Sequence, residues 1–181
     1  MAGSFDSTKR YEIAGLSMTG RLSLLWPCMV AALCFAVENT SVAAQAARAE
    51  DREIGTVVEQ FLARLQVGDR TALDELVTAD FYAFDAGMRM NFQQLFTTVT
   101  NARVAGRVFT WSVTSLRVDA RTDIAFAAWC NVGTIADGDR TQPQRWLESA
   151  VLERAREGWR ISFLHSTRQA AGRKVGDDCD I

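Results

Sequence analysis

The hydrophobic positions of the chain first recur with a helical period in the segment that begins at Ile54. They stand at i, i+3, i+4, i+7, i+8 and i+11: Ile54, Val57, Val58, Phe61, Leu62 and Leu65. This spacing puts one apolar stripe on an amphipathic helix. Gly68 is a typical helix stop, and Asp69 after it predicts the N-cap of a second, shorter helix.

A third helix and several strands are predicted further along the chain. Asn91 and Gln94 have the spacing of a capping box, which predicts a helix that ends near Gly106. Before it, Phe81–Phe84 (FYAF) has the composition of a strand, and Asp85–Gly87 reads as a bend. After Gly106 come four extended runs rich in β-branched and aromatic residues: Arg107–Asp119, Ile124–Ile135, Gln144–Arg154 and Trp159–Arg168.

Short turn segments at Asp137–Asp139 and Glu157–Gly158 separate the later runs, which favours antiparallel pairing. We therefore expect an α+β fold. A curved antiparallel sheet would wrap around a long N-terminal helix and two shorter helices, as a cone with an internal pocket. Such a pocket is a usual place for a small ligand.

The N-terminal segment predicts export. Leu22–Val37 is a short apolar run after Arg21, and Ala44 and Ala46 fit the small-x-small rule for signal cleavage. We expect residues 1–46 to be a signal peptide (its start possibly Met18), residues 47–168 the cone domain, and residues 169–181 a flexible polar tail. The mature protein would be periplasmic or secreted. The alternatives are a buried helix or an uncleaved membrane anchor, and only an uncleaved anchor would bring the protein into contact with a membrane.

Composition narrows the function classes. The formal net charge is −2 and no basic stripe is present, so nucleic acid is not an expected partner. One histidine and four cysteines, without a Cys-x-x-Cys pair, give no metal or redox motif, and we expect no cofactor. Cys130 and Cys179 could pair in an oxidising compartment. The strand context of Cys130 and the acidic tail around Cys179 favour two separate thiols.

Two titratable residues are candidates for chemistry. Asp85 follows an apolar strand, so it is either a base in the pocket or a turn residue capping the backbone before Gly87. His165 alternates with Trp159, Ile161 and Phe163, which predicts that it faces the pocket as an acid, base or hydrogen-bond partner. The alternative is a structural core histidine. A bulge between Ile161 and His165 would reverse its facing.

At this point the chain resembles a known family. Val57–Phe81 (VVEQFLARLQVGDRTALDELVTADF), followed by Gly158–Thr167 (GWRISFLHST), is similar to the SnoaL-like proteins of the nuclear-transport-factor-2-like superfamily, over about Ile54 to Arg168. The resemblance implies a cystatin-like cone. It leaves the activity open, because this scaffold carries isomerases, cyclases, dehydratases, small-ligand binders and assembly domains.

Two weaker resemblances imply roles for individual residues. Similarity to ketosteroid isomerases puts Asp85 at the base position, Phe61 where those enzymes have a tyrosine, and the later acid near Ser149 or Ala150. The ending around His165 also resembles the association domain of calcium/calmodulin-dependent kinase II, where such residues belong to a non-catalytic assembly module.

Three functions therefore stay open. The first is an exported protein that binds a small apolar or ring-shaped molecule; the second is a non-catalytic dimerisation or assembly module. The third is a cofactor-independent isomerase or lyase with Asp85 as base and His165 as its partner. We expect a homodimer formed through the outer sheet face. The candidate pocket residues come from the helix, the bend and the strands: Phe61, Met88, Trp111, Trp129, Ser149 and Phe163.

Overall fold

The structure is a computed structural model that describes residues 26–169, with side chains from Val42 onward. The chain divides into two units, Met1–Ser41 and Val42–Ile181. Met18, Cys179 and most of the predicted tail lie outside the described residues. Within residues 26–169, none of the helices has the length and hydrophobicity that a membrane span requires.

Three helices and six strands make up the described chain. The helices are α1 (Trp26–Val67), α2 (Arg70–Leu76) and α3 (Phe92–Val104). The strands are β1 (Val77–Asp85), β2 (Met88–Asn91), β3 (Arg107–Ala120), β4 (Ile124–Asp137), β5 (Arg140–Ala155) and β6 (Gly158–Arg168). The predicted α+β architecture is confirmed, and α1 begins upstream of the helical period that starts at Ile54.

The helix boundaries follow from local hydrogen bonds. The Asp69 side chain accepts a hydrogen bond from the backbone N–H of Ala72 at 3.1 Å and caps α2. Asn91 and Gln94 form both bonds of the predicted capping box, each 2.9 Å long. These side chains satisfy N–H groups that have no partner within the helix.

The six strands form one sheet in the order β2-β1-β6-β5-β4-β3. The pairing of β1 with β6 is parallel and the others are antiparallel, so the sheet is mixed rather than wholly antiparallel. The sequence did not predict β2, which closes a hairpin with β1 through Ala86 and Gly87. Both turn residues have positive φ, 50° and 77°, as a tight two-residue hairpin turn requires.

Two bulges bend the long strands. In β3, Ser115 is extra between the pairs Thr114–Cys130 and Arg117–Ala128, and its φ is 50°. In β6, Ser162 is extra between Ile161, which pairs with Leu152, and the next paired residue. Each bulge adds local twist and reverses the facing of the residues that follow, relative to simple alternation.

The core lies between α1 and one face of the sheet, which we call the inner face. It carries Ala127 and Ala150 at 0% exposure, and the α1 stripe predicted from Ile54 packs here with Phe61 at 1% exposure. The Phe61 ring lies 6.1 Å from that of Phe81 on β1. Fully burying a side chain of this size contributes about 1.5–3 kcal/mol, so this packing holds the helix on the sheet.

Strand β4 also carries the disulfide. Cys130 is fully buried and disulfide-bonded. The expectation that Cys130 is a separate thiol is therefore wrong. The strand context that favoured a thiol describes the backbone around Cys130, and a strand position does not exclude a disulfide at the side chain.

Candidate functional site

A row of polar side chains crosses the inner face of the sheet. Asp85 on β1 is opposite Ser166 on β6, Ser166 is opposite Glu148 on β5, and Glu148 is opposite Trp129 on β4. Cross-strand partners project on the same face and stand close to each other. We call Asp85, Ser166, Glu148 and Trp129 the inner row.

Glu148 is the best-fixed member of the inner row. Its Oε2 accepts hydrogen bonds from Trp129 Nε1 at 2.8 Å and from Asn131 Nδ2 at 3.0 Å. Ser166 Oγ donates to its Oε1 at 2.9 Å. The Asn131 amide cannot turn around without losing its other bond, because its Oδ1 accepts the backbone N–H of Ser112 at 3.1 Å.

This geometry determines where Glu148 can hold a proton. Trp129 Nε1 and Asn131 Nδ2 can only donate, so Oε2 must stay an acceptor. A proton on Glu148 therefore resides on Oε1, facing Ser166. The hydroxyl of Ser166 can accept that proton's hydrogen bond, which directs its own hydrogen elsewhere.

Both carboxyl groups of the inner row have raised pKa values. Burial raises the pKa of Glu148 above the usual value of 4.5; its three hydrogen bonds oppose the rise and the charge of Asp85 adds to it. Burial also raises the pKa of Asp85 from 3.8, against a hydrogen bond with the Ala86 backbone and the nearby His165. Two carboxyl groups on one sheet face thus favour holding protons.

The inner row is closed at one end and open at the other. Glu148 is 9% exposed and Trp129 is 1% exposed, whereas Asp85 and Ser166 are partly exposed. Met88, at the start of β2, is opposite Asp85 and is 54% exposed. A molecule that approaches the row therefore meets Asp85, Ser166 and Met88 first.

The expected facing of His165 is wrong. Because Ser162 is extra in β6, Trp159, Ile161 and Leu164 point to the inner face, and His165 is exposed on the opposite, outer face. Its Nε2 lies 3.2 Å from Thr167 Oγ1. The structure thus places Asp85 and His165 on opposite faces of the sheet, where they do not converge on one ligand.

The same bulge displaces part of the candidate pocket. Phe163 lies on the outer face, with its ring 4.9 Å from Tyr82 and 5.4 Å from Phe84, and Ser149 is opposite His165 on that face. Their placement in an internal pocket is therefore wrong. Of the other predicted residues, Trp129 belongs to the inner row, Met88 lies at its open end and Phe61 is in the core.

Trp111 lies on the inner face of β3, away from the row. It is partly buried against the core, and its ring stacks with that of Phe109 at 5.3 Å and 22°. Gln66 of α1 accepts the backbone N–H of Trp111 at 3.2 Å. These contacts give Trp111 a packing role at the edge of the sheet.

Glu148 is the residue that the sequence reasoning missed. The resemblance to ketosteroid isomerases put a later acid near Ser149 or Ala150, and the carboxyl group stands one position earlier. The signal was in the sequence: Trp146, Glu148, Ala150 and Leu152 alternate, which places a charged residue within an otherwise apolar buried face. No group of three potential metal ligands occurs among the residues whose side chains are described.

Comparison with known proteins agrees with this fold. The pattern of a family described as SnoaL-like domain matches residues 54–169. The comparison with curated proteins finds no match.

Solved structures with the same fold include proteins with different descriptions. An NTF2-like protein with a cystatin-like fold from Novosphingobium aromaticivorans is 18% identical, over 74% of this chain and 92% of that chain, with a TM-score of 0.62. A ketosteroid isomerase-like protein from Erwinia carotovora atroseptica is 16% identical, over 67% and 97%, with a TM-score of 0.56. The S. rosetta CaMKII hub is 17% identical, over 65% and 95%, also at 0.56. At these identities the likeness establishes the fold.

Proposed function

The chain belongs to the SnoaL-like family, and from that premise we propose that it binds a small apolar, ring-shaped molecule at the open end of the inner row. The observation that carries this proposal is the pair Asp85 and Glu148: two carboxyl groups with raised pKa values on the inner face. Ser166 is opposite both in the sheet and donates a hydrogen bond to Glu148. Buried carboxyl groups are costly to a structure and cluster at functional sites.

The chemistry around the row defines the ligand. Asp85 and Ser166 offer hydrogen bonds to a polar substituent, and Met88 offers a flexible apolar contact beside them. Glu148, held by Trp129 and Asn131, fixes the direction of the Ser166 hydroxyl. A ring with one hydroxyl or carbonyl group therefore fits this end better than a multiply charged molecule.

The same pair favours a second function, proton transfer without a cofactor by an isomerase or lyase. Asp85, in its ionised form, would take a proton from a carbon of the ligand, and its raised pKa makes that form a stronger base than an ordinary aspartate. The hydroxyl of Ser166, accepting from the protonated Oε1 of Glu148, would donate to the oxygen on which charge develops. His165 takes no part, because it faces the other side of the sheet.

Native mass spectrometry of the purified protein tests the binding proposal. We expect a co-purifying small molecule that is lost in Asp85→Asn. Glu153→Gln, an exposed carboxylate on the same strand as Glu148, should keep the ligand. The proposal is wrong if the protein carries no ligand and a panel of hydroxylated and keto ring compounds produces no rise in Tm.

Proton transfer has a separate test. The identified ligand, or a panel ring ketone that binds, is incubated with the protein in D₂O, and exchange of its acidic C–H is followed by NMR. Asp85→Asn should abolish exchange, whereas Glu153→Gln leaves it unchanged. Binding without exchange in the native protein would rule out catalysis on that compound and leave a binder.

The outer face supports a homodimer. Phe84, Phe126 and Leu147 are 43%, 50% and 38% exposed there, and an apolar face of this kind is typical of an interface. The CaMKII hub is similar in fold, and another similar structure, from Exiguobacterium sibiricum, is described as a Ca/calmodulin-dependent kinase II association domain. Sedimentation should give a dimer that Phe84→Glu converts to a monomer, whereas Val104→Glu on α3 does not.

Export to the periplasm or medium is the proposed localisation. Val42–Ala49, around the predicted cleavage after Ala46, is exposed, and the first buried side chain of α1 after Val42 is Ile54. Residues 42–46, the part of the predicted signal peptide whose side chains are described, therefore contribute no buried side chain to the core. The disulfide at Cys130 also favours an oxidising compartment. N-terminal sequencing of the mature protein should begin at Ala47; an intact N-terminus in a cytosolic fraction would contradict this.

A further inference from the structure

A second polar feature lies on the inner face, at the end of the sheet near the turn between β4 and β5. It is a groove of about 480 Å³ lined by Arg107, Arg140 and Arg168, with Asp137 beside them. Its floor includes Phe109 and Ile135. We call it the arginine groove.

The charges in this groove are not balanced. Arg107 pairs with Asp137, its Nε 3.1 Å from Oδ2. The guanidinium groups of Arg140 and Arg168 have no ion pair or hydrogen bond within the described part of the chain. Three arginines and one aspartate give the groove a formal charge of +2. The guanidinium groups of Arg140 and Arg168 can therefore bind an anion.

The groove floor selects the body of the ligand. Phe109 and Ile135 are apolar and adjacent across β3 and β4, and the Phe109 ring is held by stacking on Trp111. Gln142 adds one amide at the side. Guanidinium groups bind carboxylates with paired, planar hydrogen bonds, while an aromatic floor accepts a flat apolar ring.

We propose that the arginine groove binds a small organic carboxylate, with its carboxylate between Arg140 and Arg168 and its apolar body on Phe109 and Ile135. The groove extends away from the inner row along the same sheet face. Gln142 is six residues from Glu148 on β5, which corresponds to about 20 Å along a strand, whereas Arg168 is two residues from Ser166 on β6, about 7 Å. Arg168 is therefore the groove residue nearest the inner row, and a variant of Asp85 tests whether the two sites bind independently.

Isothermal titration calorimetry with benzoate at low ionic strength tests the proposal, because screening by salt weakens exposed charges. We expect benzoate to bind, and benzyl alcohol, the neutral analogue, not to bind. Arg140→Gln and Arg168→Gln should each weaken benzoate binding by about tenfold or more, the range for a hydrogen bond to a charged group. Both arginines are exposed, so the variants should keep the native circular dichroism spectrum and Tm.

Two control variants and two control ligands decide the outcome. Arg117→Gln removes an exposed arginine from the outer face of β3 and should leave affinity unchanged. Asp85→Asn should also leave it unchanged, which separates this site from the proposed function. The proposal is overturned if benzyl alcohol or inorganic phosphate binds as tightly as benzoate. It is also overturned if Arg117→Gln weakens binding as much as the groove variants do.

Discussion

Replacing Glu148 tests whether its carboxyl group is held mainly as a hydrogen-bonding, protonated group. In Glu148→Ala, Trp129 Nε1 and Asn131 Nδ2 lose their shared acceptor, and both residues are 1% exposed. A buried donor without a partner costs about 1–3 kcal/mol, so the pair costs about 2–6 kcal/mol. At about 2–4 °C per kcal/mol, that loss lowers Tm by roughly 4–24 °C.

Glu148→Gln should behave differently. The glutamine oxygen still accepts from Trp129 and Asn131, and its NH₂ group donates to Ser166 Oγ, which can accept. The variant lacks the ionisable group whose pKa burial raises. We therefore expect its free energy of unfolding at neutral pH to equal or exceed that of the native protein.

The raised pKa of Glu148 determines the direction in which stability changes with pH. The unfolded chain ionises Glu148 near its ordinary pKa of 4.5, while the folded protein still holds the proton. The contribution of Glu148 to the free energy of unfolding is fully present below pH 4.5 and is lost as the pH rises through the raised pKa of the folded protein. The slope approaches about 1.4 kcal/mol per pH unit in that window. Asp85 contributes in the same direction, so part of the slope remains in Glu148→Gln.

Urea unfolding followed by tryptophan fluorescence, between about pH 5 and 8, measures this difference. The native protein should lose stability with rising pH more steeply than Glu148→Gln. Parallel curves for the two proteins would refute the reasoning, because Glu148 would then have the same pKa in both states. A Glu148→Ala variant as stable as Glu148→Gln would refute the role of the two donors.

Further predictions concern single positions. His165→Ala should change the free energy of unfolding by less than about 0.5 kcal/mol, whereas Leu164→Ala, at 4% exposure, should cost about 2–5 kcal/mol; similar losses in urea unfolding would place both side chains in the core. Asn91→Ala removes the α3 cap and should cost about 1 kcal/mol, with exposed Asn101→Ala in the same helix as the control. Gly87→Ala should also cost about 1 kcal/mol by thermal unfolding, because φ is 77° and no atom lies near an added Cβ; an unchanged Tm would mean that the turn can relax.

The features that the sequence predicted are those set by local chemistry. Asp69 and Asn91 cap their helices because a short polar side chain reaches N–H groups two or three residues on, whatever the rest of the fold does. The turns at Asp137–Asp139 and Glu157–Gly158 likewise separate the strands where the structure has them. The family resemblance and the α+β fold followed from this order of elements.

The features that the sequence did not predict depend on distant pairing. Strand β2 has four residues, too few for a recognisable alternation, and its pairing with β1 identifies it. The parallel contact between β1 and β6 joins residues far apart in the chain. In the site, Asp85 is indicated by its position after an apolar strand. The alternation around Glu148 indicates a carboxyl group on a buried face, but its partners Trp129, Asn131 and Ser166 come from other strands and are known only from the pairing.

The extra residue at Ser162 changes how this strand can be compared with others. In a regular strand, positions an even number apart share a side of the sheet. Here Trp159 shares its side with Leu164 and Ser166, at odd intervals, and not with His165 at an interval of six. An alignment to a relative without the extra residue must therefore open a one-residue gap at Ser162. Without that gap, the histidine of one protein is equated with a position that faces the other side, and any catalytic role transferred by spacing alone goes to the wrong residue.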